Sequence, residues 1–190
     1  MLTAAHEHMD YDLGILAPEE IASRAKPLPA PWRRVDATPR TVVLEKKGLR
    51  LGVVIFPEHP ETPERAFKAI SSRTQRLRRT CDLVLGVSSW GKQLERDFLT
   101  QAPGAVDILQ GSGSGGPLPF RLTTGGKTVW VRPYSEGKTV QRLDILELPR
   151  QTPTTWNKGQ NIALRLVSLN EDMPEDAAVA KTLQDAGAKR

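Results

Sequence analysis

Three short runs in this chain are apolar almost without interruption: "LGVVIF" at 51–56, "CDLVLGVS" at 81–88 and "VDILQG" at 106–111. A strand with one solvated face alternates apolar and polar residues, whereas a strand covered on both faces need not, and doubly covered strands are typical of parallel sheets. Between the runs lie "TPERAFKAISSRTQRLRRT" and "GKQLERDFLTQAPG". In the first, Ala66, Phe67, Ile70 and Leu77 recur near helical spacing, Thr62 stands as a cap and Pro63 suits the first helical position. Apolar strand and helix in alternation predict parallel βαβ units.

The flanking segments read differently. "RTVVLEKKGLRLGVVIF" predicts a hairpin of strands 41–45 and 49–56, with Lys46, Lys47 and Gly48 as the turn. After residue 119 the pattern becomes alternating strands between glycine turns, at 120–122, 128–132 and 140–148, which predicts an antiparallel meander. A further strand is expected at 161–169 and a helix from about Glu175. Near the start, "DLGIL" predicts a strand at 12–16. "APEEIASRA" predicts a helix, with Glu19 and Glu20 in its first turn where the dipole favours anions. Residues 26–40 are so rich in proline that they predict an irregular connection. The whole, 1–190, reads as one α/β domain in which a parallel part feeds an antiparallel part.

Composition narrows the class. The apolar share is 38% and the charged share 26%, ordinary values for a globular chain. No run is long and apolar enough for a membrane span, and "MLTAAHEHMDYD" lacks the pattern of a signal peptide, which leaves the compartment open between cytoplasm and periplasm. The single cysteine, Cys81, rules out an internal disulfide and a cysteine zinc cage, and reads as a packed structural thiol. The net charge is +5. Its excess concentrates in Arg65, Lys68, Arg73, Arg76, Arg78 and Arg79. No aromatic platform interleaves with these cations, so they read as a solvated helix face in preference to a nucleic-acid surface.

The stretch "DILQGSGSGGPLPF" breaks the rule that strands end in polar turns with side chains. Residues 110–119 form a Gly/Ser loop that composition alone would make a flexible linker. Its frame, however, resembles the metallophosphoesterase fold, nearest the 5'-nucleotidase and cyclic-nucleotide phosphodiesterase branch. There a strand ends in Gly-Gly-His-Thr-His-Thr followed by Pro-Leu, and Ser112 and Ser114 stand at the two histidines. Upstream, "SSWG" resembles the family's Ser-His-Leu-Gly, with Ser89 on the histidine. "MDYD" at 9–12 resembles the approach to Gly-Asn-His-Glu, with Pro18 on the asparagine and Glu19 on the catalytic histidine. "GKTVQRLDILEL" resembles the strand that follows the metal motifs. The likeness runs from Met9 to Leu183. It implies a layered αββα-type sandwich of mixed parallel and antiparallel sheets, without the family's N-terminal part.

The resemblance also implies a lost chemistry. The family uses two divalent metals to activate water and clamp an in-line displacement. Imidazole and carboxylate hold such ions, and a serine hydroxyl is a poor substitute. Pro18, Glu19, Ser89, Ser112 and Ser114 are therefore expected to be degenerate metal-site positions, with no metal or other cofactor and no catalytic residue. The backbone of Gly111, Gly113, Gly115 and Gly116 is a candidate anion-binding loop. His6 and His8 read as surface histidines, and His59 as a loop residue bordering the family's cleft. The expected function is a catalytically silent phosphoesterase-like binding or interaction module. The alternatives are an active phosphoesterase whose metal site another chain or segment completes, and a basic phosphate- or nucleic-acid-binding module. Lack of the family's first strands would leave a buried parallel strand at the sheet edge, which predicts self-association or a partner protein there.

Overall fold

The computed structural model describes residues 11–17, 20–21, 31–134, 137–148 and 155–185. Its centre is a six-stranded sheet built from β3 (Arg40–Lys46), β4 (Leu49–Ile55), β5 (Leu83–Ser88), β6 (Ile108–Gly111), β7 (Leu118–Leu122) and β8 (Val129–Arg132), in the order β3-β4-β5-β6-β8-β7. The pairs β4–β5, β5–β6 and β6–β8 are parallel, and β3–β4 and β7–β8 antiparallel. Helices α1 (Pro63–Leu77) and α2 (Lys92–Gln101) make the crossovers. The predicted βαβ core is thus present, in a mixed α/β fold.

Side-chain alternation explains why the core runs are apolar throughout. Val54, Phe56, Val84, Leu109 and Trp130 face Phe67, Ile70, Leu77 and Phe98 of α1 and α2. Residues of the opposite parity meet a second layer. Leu83, Ile108, Val129 and Val131 pack against Trp156 and Ile162. Val53 and Ile55 pack against Val35, with Leu13 and Ile15 beside them. That second layer consists of two small sheets. One is the parallel pair β1 (Gly14–Leu16) and β2 (Trp32–Arg34). The other is the antiparallel pair β9 (Thr139–Ile145) and β10 (Ile162–Ser168). The final helix, α3 (Ala177–Asp185), buries no residue, so it does not supply a fourth layer.

Three expectations are corrected. The meander does not continue: β9 leaves the main sheet and pairs with β10, because its inward residues Leu143 and Ile145 cover the far face at Ile108 and Val129. The Pro-rich connection of residues 26–40 is regular in part, since Trp32–Arg34 pairs with Gly14–Leu16 and delivers buried Val35 to the core. Among the described residues no parallel strand lies at an edge of the main sheet. Both edges of the main sheet, β3 and β7, are antiparallel. The β3 edge carries exposed Arg40, Glu45 and Lys46, charges of the kind that deter edge pairing. The β3–β4 turn falls where predicted, with Lys47 at φ 52° and Gly48 at φ 77°, the two positive φ values of a type I′ hairpin. Among the described residues no helix is long and apolar enough to cross a membrane. Of the helix expected around 17–25, only Glu20 and Ile21 are described.

Candidate functional site

Because β5 and β6 are parallel neighbours in the register Ser88↔Gly111, their following loops leave the sheet side by side at the carboxyl end. Open α/β sheets bind ligands at that end. The Ser89–Trp90–Gly91 turn and the loop after Gly111 press together backbone to backbone. Gly91 N–H donates to Ser112 O at 3.0 Å and Lys92 N–H to Ser114 O at 2.8 Å. The Ser112 hydroxyl donates to Ser88 O at 2.9 Å, and the Ser88 hydroxyl accepts from Trp90 N–H at 3.1 Å. Positions 89, 112 and 114, which sequence placed together only through a resemblance, therefore share one site.

Glycine is required here by proximity. A Cβ on Gly113, at φ 77°, would stand 2.4 Å from Ser89 O, and one on Gly111 would stand 2.0 Å from Glu95 Oε2. Gly91 is held by its φ of 87°, and a Cβ there would stand 2.3 Å from the Ser114 hydroxyl and 3.0 Å from the Ser114 carbonyl oxygen. Real Cβ atoms do not approach so closely, so side chains are excluded by the packing of two backbones and a carboxylate. Gly116 differs, with nothing within 4 Å. The loop is a fitted wedge and not a flexible linker.

Two residues that sequence reasoning missed hold the wedge. Glu95, on the first turn of α2, is fully buried. Its Oε1 accepts from Ser112 N–H at 3.2 Å, and its Oε2 accepts from Trp130 Nε1–H at 3.0 Å and from Arg132 Nη1 at 2.6 Å. Arg132, at the end of β8 and 2% exposed, donates through Nη2 to Gly113 O and Ser114 O, both at 2.9 Å. Burial pushes the Glu95 carboxyl above the ordinary carboxylate range, against the pull of Arg132 and the hydrogen bonds from Trp130 and Ser88. The only sequence signal was an acid three residues into a helix whose neighbours are Leu94 and Phe98.

Beside the wedge, on the face away from α1 and α2, lies a cleft of about 540 Å3. Val53, Leu85 and Val87 form its apolar floor, and Asp12, Ser89 and Gln110 are among its polar lining. Asp12 is paired with Lys46 at 2.7 Å. The serine hydroxyls at positions 89, 112 and 114 are poor donors for a divalent metal. At the junction of the two loops the groups are hydroxyls and peptide carbonyls, with the Ser112 hydroxyl committed to Ser88 O, and the cleft lining adds the carboxylates of Asp12 and Glu20. Among the described residues no three His, Cys, Asp or Glu side chains converge. Pro18, Glu19, His6 and His8 lie outside the described residues. His59 is exposed and lines a separate depression with Arg65. Its loop touches the site indirectly, through Trp90 Nε1–H donating to Pro57 O at 2.8 Å. Cys81 is half-buried against the α1 side of the core. The amide of Ser112 in the glycine loop is taken by Glu95.

No protein-family model and no curated protein matches this chain. Among solved structures, a hypothetical protein from Thermus thermophilus superposes on 66% of this chain with a TM-score of 0.48 and 17% identity. The chain spans 54% of that protein's length.

Proposed function

We propose that this chain is a metallophosphoesterase-like domain, nearest the 5'-nucleotidase branch, that has kept the strand-end frame of such a hydrolase and acts as a binding module. The observation that carries the reading is the junction of the turn at Ser89 with the loop at Ser112 and Ser114, tied by the Gly91–Ser112 hydrogen bond of 3.0 Å. That junction is where the resemblance puts three imidazole ligands. Hydroxyls in their place, with the Ser112 hydroxyl turned to a backbone carbonyl, offer neither the charge nor the donor strength to hold two dications or lower the pKa of a bound water. The cleft beside it retains the position and volume of a small-molecule site.

The test joins metal analysis with an activity assay. Purified protein incubated with Mn2+ and Zn2+, then desalted, is expected to retain no stoichiometric metal and to leave bis-p-nitrophenyl phosphate unhydrolysed. Stoichiometric metal with turnover would overturn the reading in favour of an active hydrolase.

A further inference from the structure

On the other face of the main sheet, between α2 and the edge strand β7, lies a second cleft of about 440 Å3. Its charged lining is of one sign: Arg96, Arg121 and Lys127, with no acidic residue. The topology explains the convergence. Arg121 is the register partner of Trp130, so it projects to the helix side of β7. Arg96 stands one turn before Leu99 and Thr100 on the α2 face that overhangs this edge. Lys127 follows the tight Thr124–Gly126 turn that joins β7 to β8. None of the three enters an ion pair among the described residues, whereas Arg78 and Arg132 each have a carboxylate partner. The floor is apolar, from buried Leu99 and Trp130.

Three unpaired cations in one concavity repel each other and concentrate anions. The carbonyl end of α2 opposes this with about half a negative charge, which three full positive charges exceed. Guanidinium groups pair with phosphate oxygens in a bidentate fork, and a lysine adds a point charge. The volume suits a small organic molecule, and the Leu99–Trp130 floor suits its non-ionic part.

The geometry points to a second ligand site, at Arg96, Arg121 and Lys127, for a small phosphate monoester with an apolar body. The site is independent of the cleft at Ser89 and does not rest on the reading given for it. Isothermal titration of the full chain with phenyl phosphate, and separately with inorganic phosphate, tests it. Phenyl phosphate is expected to bind saturably and more tightly than inorganic phosphate, with the Trp130 indole signal shifting in NMR. Each of Arg96→Gln, Arg121→Gln and Lys127→Gln is expected to weaken binding about tenfold or more, the scale of one charged hydrogen bond. Arg79→Gln, which removes an exposed cation just beyond α1, should leave binding unchanged. Absence of saturable binding, equal affinity for the two probes, undiminished binding by the triple Gln variant, or an equal loss in Arg79→Gln would each overturn the proposal.

Discussion

The carboxylate of Glu95 and the guanidinium of Arg132 meet at 2.6 Å with 0% and 2% of their side chains exposed. The pair joins α2 to β8 and, through the Gly113 and Ser114 carbonyls, fixes the loop after β6. Removing one partner of such a pair strands the other charge in the core, at a cost of about 3–5 kcal/mol. Arg132 is the more exposed to this effect, because its Nε already lacks a partner. Glu95→Leu and Arg132→Met should each lower the urea-unfolding free energy by that order. The double variant should lose clearly less than the sum, since it leaves no orphan charge. A strictly additive double variant would show that the two side chains do not act as a unit.

Glu95 also makes stability depend on pH, in a sense opposite to most carboxylates. Burial raises its folded-state pKa above the ordinary value, the pull of Arg132 notwithstanding. A raised pKa means that the folded protein takes up the proton more readily than the unfolded chain. The contribution is therefore present in full below the unfolded pKa of about 4.3 and is lost as pH rises through the folded pKa. Expressed as wild type minus Glu95→Gln, the unfolding free energy should fall as pH climbs from about 4 toward neutrality. A difference that grows over the same window would mean that the attraction of Arg132 outweighs desolvation.

The glycines of the loop should separate sharply under substitution. Gly111→Ala drives a methyl into Glu95, and Gly113→Ala combines a positive φ with a clash against the Ser89 carbonyl. Each should destabilise by about 2 kcal/mol or more, as strain and broken packing of this kind do. Gly116→Ala meets open space, and its backbone does not have positive φ. It should be neutral or stabilising by about 0.4–1 kcal/mol, through a less flexible unfolded chain. Thermal denaturation of the three variants measures the contrast. Equal, small effects at all three sites would restore the linker reading.

What the sequence disclosed and what it hid follow from the range of the interactions. The parallel core was legible because its cause is local: runs such as "LGVVIF" carry no polar residue on either face, and only a doubly covered strand tolerates that. The Lys47–Gly48 turn was legible for the same reason. The glycine loop was visible as an anomaly, but its cause was not, since Gly111 is excluded from bearing a side chain by Glu95, sixteen residues away. Glu95 itself reads as one more acid in "KQLERD", and its partner lies 37 residues on. The departure of β9 from the main sheet was hidden too. Its alternation specifies one apolar face, and nothing in that pattern says whether the face closes a sheet or roofs another.

The cations at the end of α1 should not behave alike. Arg78 makes two bonds to the Asp107 carboxylate, at 3.0 and 3.1 Å, and donates to Gly104 O at 2.9 Å. Asp107 is fully buried and also accepts from Val84 N–H at 2.7 Å, so the pair sets where β6 begins relative to β5. Arg76 and Arg79 are exposed. Arg78→Glu would place a second carboxylate against a buried one and should cost on the order of 3 kcal/mol or more. Arg76→Glu and Arg79→Glu should stay within about 0.5 kcal/mol of wild type. Their pairing as Arg76→Glu/Arg79→Glu, with Arg78 retained, therefore tests the surface charge without unfolding the chain. Salt-dependent retention on immobilised duplex DNA should be weak for wild type and unchanged in this variant. A strong retention that the variant abolishes would make this helix end a nucleic-acid surface, while an Arg78→Glu protein as stable as wild type would detach Arg78 from the core it is assigned to.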